Sequence, residues 1–244
     1  MRAGCKLLKI PVFAVLLTGG ANTANPAGPP KLCDYAMIVL DASGSMNMNS
    51  QPKMAYAREA VHQVVPEISD GRALGLIIYG DPPGGSRVGG GICASRIALS
   101  VPPRENATAA ILEAVDAVSP QGMTPLTEAV ALAANAAGDG SAPAAIILVT
   151  DGQENCGGNP CELGKALRAS KPGTAVHVIG LGFSVEADRA LSCLAAETGG
   201  TIREVKDAES LGKALRDALQ CPAISELPSK GGLAKALGKA YPNG

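Results

Sequence analysis

Hydrophobic and polar positions follow two different rhythms along the chain. Four short continuous apolar runs, at 35–40, 74–79, 144–149 and 175–179, are rich in Ile and Val, and such runs read as strands buried on both faces. The segments 53–65, 107–118, 126–137, 163–169, 187–197 and 210–219 instead space their apolar residues with helical periodicity and contain few breakers. Strands alternating with helices predict right-handed crossovers and a mostly parallel sheet covered on both faces. One connection departs from this rhythm. After Tyr79 the chain passes Gly80, Pro82, Pro83, Gly84, Gly85, Gly89, Gly90 and Gly91 with no helical pattern and then enters a strand-like stretch at 96–101. Without a crossover helix the two flanking strands are expected to pair antiparallel, which puts one antiparallel strand at the edge of the sheet.

Both ends of the sequence lack these rhythms. Residues 1–24 hold Arg2, Lys6 and Lys9, then an apolar run at 10–17, then the small residues Gly19, Gly20, Ala21 and Ala24. This is the layout of a secretory signal peptide, with cleavage expected after Ala21 or Ala24. The apolar run is shorter than the ~18 residues a membrane anchor needs, so no transmembrane segment is expected in the mature chain. Cys5 precedes the apolar run and so cannot be the lipid-bearing Cys of a processed lipoprotein. Residues 25–32 read as a spacer, 33–221 as one domain, and 222–244 as a loosely ordered tail with a short amphipathic pattern at 233–240. The expected location is secreted or periplasmic.

Composition narrows the function. The 244 residues are 46% hydrophobic but only 2% aromatic, with no Trp, so the core must be built from Ala, Val, Ile and Leu. The chain carries 21 Lys plus Arg against 22 Asp plus Glu. Neither a basic face nor stacking platforms are available, so nucleic acid is excluded as a partner. Without the three basic residues of the leader, 18 cations face 22 anions, a net charge near −4. The leader also takes one of the seven Cys, leaving Cys33, Cys93, Cys156, Cys161, Cys193 and Cys221. An even number suits an oxidising compartment, and six cysteines allow 15 pairings.

In open sheets of this kind, ligands bind beyond the carboxyl ends of the strands. The first strand ends in Asp41-Ala42-Ser43-Gly44-Ser45, and the run at 144–149 is followed by Thr150-Asp151-Gly152. Thr124 lies in the turn Gly122-Met123-Thr124-Pro125-Leu126, where Pro125 at the first helical position is expected to hold its hydroxyl at a helix start. Taken singly, each piece is a common turn or cap. Together they form an oxygen-only set suited to a hard divalent cation, Mg2+ first and Ca2+ or Mn2+ next, and poorly suited to Zn2+ or Cu2+.

With these residues in place the chain resembles the von Willebrand factor type A family. Its metal-ion-dependent adhesion site is written D-x-S-x-S, a Thr in a G-x-T-P-like loop, and an Asp in a T-D-G turn, matching Asp41, Ser43, Ser45, Thr124 and Asp151. The resemblance covers about 33–221. It implies a doubly wound, mostly parallel six-stranded α/β sheet with one antiparallel edge strand and helices on both faces. It further implies that Ser43 and Ser45 ligate the ion directly, that Thr124, Asp41 and Asp151 do so directly or through water, and that a partner protein supplies an Asp or Glu carboxylate to the last position. The implied function is an exported, non-enzymatic, metal-dependent protein-binding module without catalytic residues.

The segment Cys156-Gly157-Gly158-Asn159-Pro160-Cys161 looks like a small loop closed on itself, because its Gly and Pro residues permit a tight turn, and it resembles a feature of a bacterial secreted branch of the family. Half of a zinc site is the other reading of C-x4-C, but no second Cys or His pair has ligand spacing. A bridge between Cys33 and Cys221 would join the domain ends, and Cys93 with Cys193 follows by elimination.

An alternative function is a Mg-dependent phosphohydrolase with Asp41 as nucleophile. Such enzymes usually carry a second Asp two residues on, where this chain has Ser43, and a Lys near the site that the sequence does not locate. A serine hydrolase lacks its G-x-S-x-G elbow. His62 and His177 read as ordinary packed or surface residues, and the Gly-rich 84–91 lacks the ending of a phosphate-binding loop.

Overall fold

A computed structural model describes residues 33–47, 53–81, 93, 96–140, 142–182 and 185–219. The leader, the spacer, the Gly-rich stretch and the tail lie outside these. Six strands, β1 (Tyr35–Asp41), β2 (Ala73–Asp81), β3 (Arg96–Arg104), β4 (Ala144–Thr150), β5 (Thr174–Leu181) and β6 (Ile202–Val205), form one sheet in the order β3-β2-β1-β4-β5-β6. The pairing of β2 with β3 is antiparallel and every other pairing is parallel, as the missing crossover helix predicted. The edge strand β3 runs through Pro102 and Pro103, which an edge tolerates because one side of the strand needs no donors. The apolar pattern did not locate β6. Its sequence Ile-Arg-Glu-Val is half charged, and the strand is short and pairs on one side only.

Helices α1 (Lys53–Ile68), α2 (Thr108–Asp116), α3 (Leu126–Ala136), α4 (Pro160–Ser170), α5 (Val185–Thr198) and α6 (Ala208–Asp217) cover the sheet. Successive strand residues point to opposite faces, and the core divides accordingly. Ala36, Ile38 and Leu40 of β1 pack with residues of α1, α2 and α6, whereas Met37 and Val39 pack with residues of α3, α4 and α5. Among the described residues the one large aromatic side chain buried in this interior is Tyr79, and Ala, Val, Ile and Leu, with Met37, Met46 and Met54, supply most of the rest.

The winding reverses at β1. From there the chain builds outward to β2 and β3 on one side, then returns to place β4 against the other side of β1. The carboxyl ends of β1 and β4 therefore flank the crevice where such sheets bind ligands, and they end in Asp41 and Thr150.

The disulfides differ from expectation. Cys156 does not close on Cys161; Cys93 bonds Cys156, and Cys161 bonds Cys193. Cys161 is committed elsewhere because Pro160 starts α4, so Cys161 lies on a helix packed against α5, which carries Cys193. That also rules out Cys93 with Cys193. Cys33 is disulfide-bonded too. Its expected partner Cys221 lies outside the described residues, although the Cys33 N–H donates to the carbonyl of Leu219 at 3.1 Å.

A candidate cation site at the sheet rim

Three loops meet at the carboxyl ends of β1 and β4. The first, after Asp41, turns through Ala42 and Ser43 into a single helical turn, Gly44–Asn47. The second, before α3, is pinned beside it: Ser43 bridges Gly122, and the Gly44 N–H donates to the Gly122 carbonyl at 2.9 Å. The third, after Thr150, is tied to the second through Asn155. Its Oδ1 accepts from the Thr124 N–H at 2.7 Å, and its own N–H donates to the Thr124 carbonyl at 3.3 Å.

The side chains converge in the space between these loops. Asp41 is fully buried. Its Oδ1 accepts from the Ser43 N–H at 2.7 Å and its Oδ2 from the Thr150 hydroxyl at 2.6 Å. Ser43 Oγ lies 3.1 Å from Ser45 Oγ, and the Ser45 hydroxyl donates to Asp151 Oδ1 at 2.6 Å. The other oxygen of Asp151 accepts from the Lys53 ammonium at 2.7 Å. Thr124 is buried in the second loop, and its hydrogen bonds are made by its backbone.

The electrostatics are those of crowded anions. Burial raises the pKa of Asp41; hydrogen bonds from Ser43 and Thr150 work against the rise, and the negative charge of Asp151 adds to it. The Tyr79 phenol, paired in register with Asp41, faces Asp41 and Thr150 but falls short of hydrogen-bond geometry with either. Burial first, then the charge of Asp41, pushes that phenol well above its ordinary range and keeps it neutral.

Two carboxylates thus meet at this rim with one ammonium, which pairs with Asp151, and the rest of the ring is hydroxyl oxygen. Among the described residues no group of three or more His, Cys, Asp or Glu side chains comes together. Surplus negative charge in an oxygen-only ring fits a hard cation, and Asp41, Ser43, Ser45 and Asp151 are the side chains that could hold it. Thr124 contributes by position, with its loop fastened to both others.

Several residues escaped the sequence reading. Thr150 orients Asp41. Lys53 reaches Asp151 from the start of α1, and its one signal in the sequence is a positive residue heading a helix with no acidic residue in the first turn, against the helix dipole. Pro125 stands at the N-cap of α3 rather than at its first helical position, with no capping side chain of its own. The cap comes from the third loop instead, where Glu154 Oε2 accepts from the Thr127 N–H at 2.8 Å and Oε1 from the Cys156 N–H at 2.8 Å. The histidines stand apart from the rim: exposed His62 pairs with Asp116, and buried His177 is held by Thr201.

Comparison with known proteins places this rim in context. The family model described as von Willebrand factor type A domain matches residues 37–217. The protein YwmD of Bacillus subtilis (strain 168) is 26% identical over 215 residues, covering 86% of this chain and 95% of YwmD. Among solved structures, the von Willebrand factor type A protein from Catenulispora acidiphila gives a TM-score of 0.59 at 24% identity, over 76% of this chain and 42% of that one. Proximal thread matrix protein 1 from the mussel byssus, solved with a zinc-occupied MIDAS motif, gives 0.55 at 22% identity, over 77% and 46%. At these identities the structural likeness speaks to the fold.

Proposed function

Because the chain belongs to the von Willebrand factor type A domain family, we propose that it is an exported, metal-dependent protein-binding module whose cation site is the rim of Asp41, Ser43, Ser45, Thr124 and Asp151. The observation that carries this reading is the chain of hydroxyls from Ser43 to Ser45 and from Ser45 onto Asp151, 106 residues away from Ser45 in sequence, beside a second buried carboxylate. Asp41, Ser43, Ser45, Thr124 and Asp151 would hold Mg2+, Ca2+ or Mn2+, which would supply a Lewis-acid position for an Asp or Glu carboxylate of a partner protein. The protein's own part is positional. Ser43 and Thr150 fix both oxygens of Asp41, Ser45 presents its hydroxyl beside Asp151, Asn155 ties the Thr124 loop to the loop after Thr150, and Gly122 ties it to the loop after Asp41. Export is supported by the basic-then-apolar order of residues 1–24 and by disulfides, which persist in oxidising compartments. No helix among the described residues is long and apolar enough to cross a membrane.

The zinc reported for the mussel protein makes the metal an experimental question, so calorimetry is to be run with Mg2+, Ca2+, Mn2+ and Zn2+ in turn. The expected result is binding of a hard divalent ion, weakened at least about tenfold in Asp41→Ala, the scale of one lost charged ligand. No binding of any of the four, or an Asp41→Ala variant that binds like the parent, removes the metal-site reading. The phosphohydrolase reading is disfavoured by Asp41 itself, which is buried with both oxygens accepting hydrogen bonds. Turnover of p-nitrophenyl phosphate, lost in Asp41→Asn, is the result that would reinstate it.

A further inference from the structure

Lys53 does not belong where helix physics would put it. It heads α1, whose first turn contains no acidic residue, and a cation there opposes the helix dipole. Its ammonium is nevertheless drawn onto Asp151 Oδ2 at 2.7 Å, with the Lys53 side chain only 18% exposed and that of Asp151 fully buried. Side chains that break a local rule at a rim of converging ligands tend to serve the site. The same Lys53 also lines a cavity of about 220 Å³ with Tyr56, Leu181, Glu204 and Lys206, beyond the carboxyl ends of β5 and β6.

We propose that Lys53 is a tethered competitor for the cation site: it occupies Asp151 until a divalent ion displaces it, and the displaced ammonium moves into the adjacent cavity toward Glu204. The inference rests on the cation-site reading above. Asp151 Oδ2 cannot give its full charge to an ion while it accepts from the ammonium, so every binding event includes the cost of breaking that pair. Two opposed effects set its size. A partly buried pair is worth more than a surface pair, but re-pairing of the ammonium with the carboxylate of Glu204 returns part of the loss.

The test is Mn2+ and Mg2+ titration by calorimetry of the parent, Lys53→Met, Lys53→Arg, Glu204→Gln and the Lys53→Met/Glu204→Gln double variant, each confirmed folded by circular dichroism. Lys53→Met is expected to bind both ions about tenfold more tightly, whereas Lys53→Arg keeps the charge and stays near the parent. Glu204→Gln is expected to weaken binding about twofold when Lys53 is present and to have no effect when Met replaces it. That dependence is something a merely structural lysine would not produce. If the parent binds Mn2+ and Lys53→Met binds it no more tightly, the competitor role is overturned while the cation site stands. If no protein binds either ion, the cation site falls and this role with it.

Discussion

Two buried titratable side chains respond to acid in opposite directions. His177, in the middle of β5, is 4% exposed; its Nδ1 lies 3.1 Å from Thr201 Oγ1 and its Nε2 has no partner. Burial lowers its pKa to about 4. The folded protein therefore binds this proton less readily than the unfolded chain, whose histidine titrates near 6.5. Stability contributed by the neutral ring is complete above pH ~6.5 and is lost as pH falls toward ~4, by roughly 3 kcal/mol. Asp41 works the other way: its pKa is raised by burial, so the folded state takes up a proton more readily than the unfolded chain and acid relieves its cost. Chemical denaturation of parent and His177→Gln at pH 7 and pH 4.5 separates the two. The parent is expected to lose about 2–3 kcal/mol more than the variant over that interval, and equal losses would show that His177 is not the group responsible.

The rim depends on backbones that approach more closely than side chains allow, and Gly80 shows this best. At the end of β2 it adopts φ +81°, and a Cβ there would sit 2.5 Å from the Ser43 N, the same N–H that holds Asp41. The Gly80 carbonyl also accepts from the Gly122 N–H at 2.7 Å, so one residue spaces the first loop from the second. Gly80→Ala is expected to cost at least ~2 kcal/mol from backbone strain and displacement and to weaken cation binding about tenfold. Gly71, at φ +64° with nothing within 4 Å of its Cβ position, is the control, and Gly71→Ala is expected to cost about 1 kcal/mol and leave cation binding alone. Urea melts and calorimetry check both; equal behaviour of the two variants would remove the close-approach argument. Gly80 also marks the limit of what the sequence discloses. Strand runs such as 144–149 were legible because burial on both faces leaves no polar position, and the missing helix before β3 was legible because Gly and Pro spell it out. The short, half-charged β6 carried no such pattern. At the site, Asp41, Ser43, Ser45 and Asp151 announced themselves through a spaced motif, but Thr150, Asn155, Glu154 and Lys53 act across loops far apart in sequence, where spacing carries no signal. The expected Cys156–Cys161 bridge failed for the same reason: local turn chemistry favoured it, and the packing of α4 on α5 decided otherwise.

A core that, among the described residues, holds one large buried aromatic side chain is set in a covalent frame, and the two described bridges divide the work unequally. Cys161–Cys193 closes 32 residues and clamps α4 to α5; Cys93–Cys156 closes 63 and fastens the segment before β3 to the loop that follows Asp151. On chain-entropy grounds each removes about 4 kcal/mol of unfolded-state freedom, a large share of the 5–15 kcal/mol typical of a domain. Replacing either pair by Ala is therefore expected to lower Tm by roughly 10–15 °C for a domain of this size. Their consequences for the rim diverge. The Cys156 N–H donates to Glu154, whose other oxygen caps α3 through Thr127, and the neighbouring Asn155 holds Thr124. Release of Cys156 loosens the third loop and, through it, the second, whereas Cys161 lies within α4, past the residues Glu154, Asn155 and Cys156 that tie that loop together. Cys93→Ala/Cys156→Ala should accordingly weaken Mn2+ binding about tenfold, while Cys161→Ala/Cys193→Ala, at a similar Tm, should leave it within about twofold. Calorimetry at a temperature well below both transitions distinguishes a general loss of stability from a local loss of the site. If affinity in the two variants falls equally, the bridge at Cys156 is only a staple. If it falls only where Cys93–Cys156 is cut, oxidation of that bridge is part of what assembles the cation site, and a chain kept reduced would fold its sheet without completing its rim.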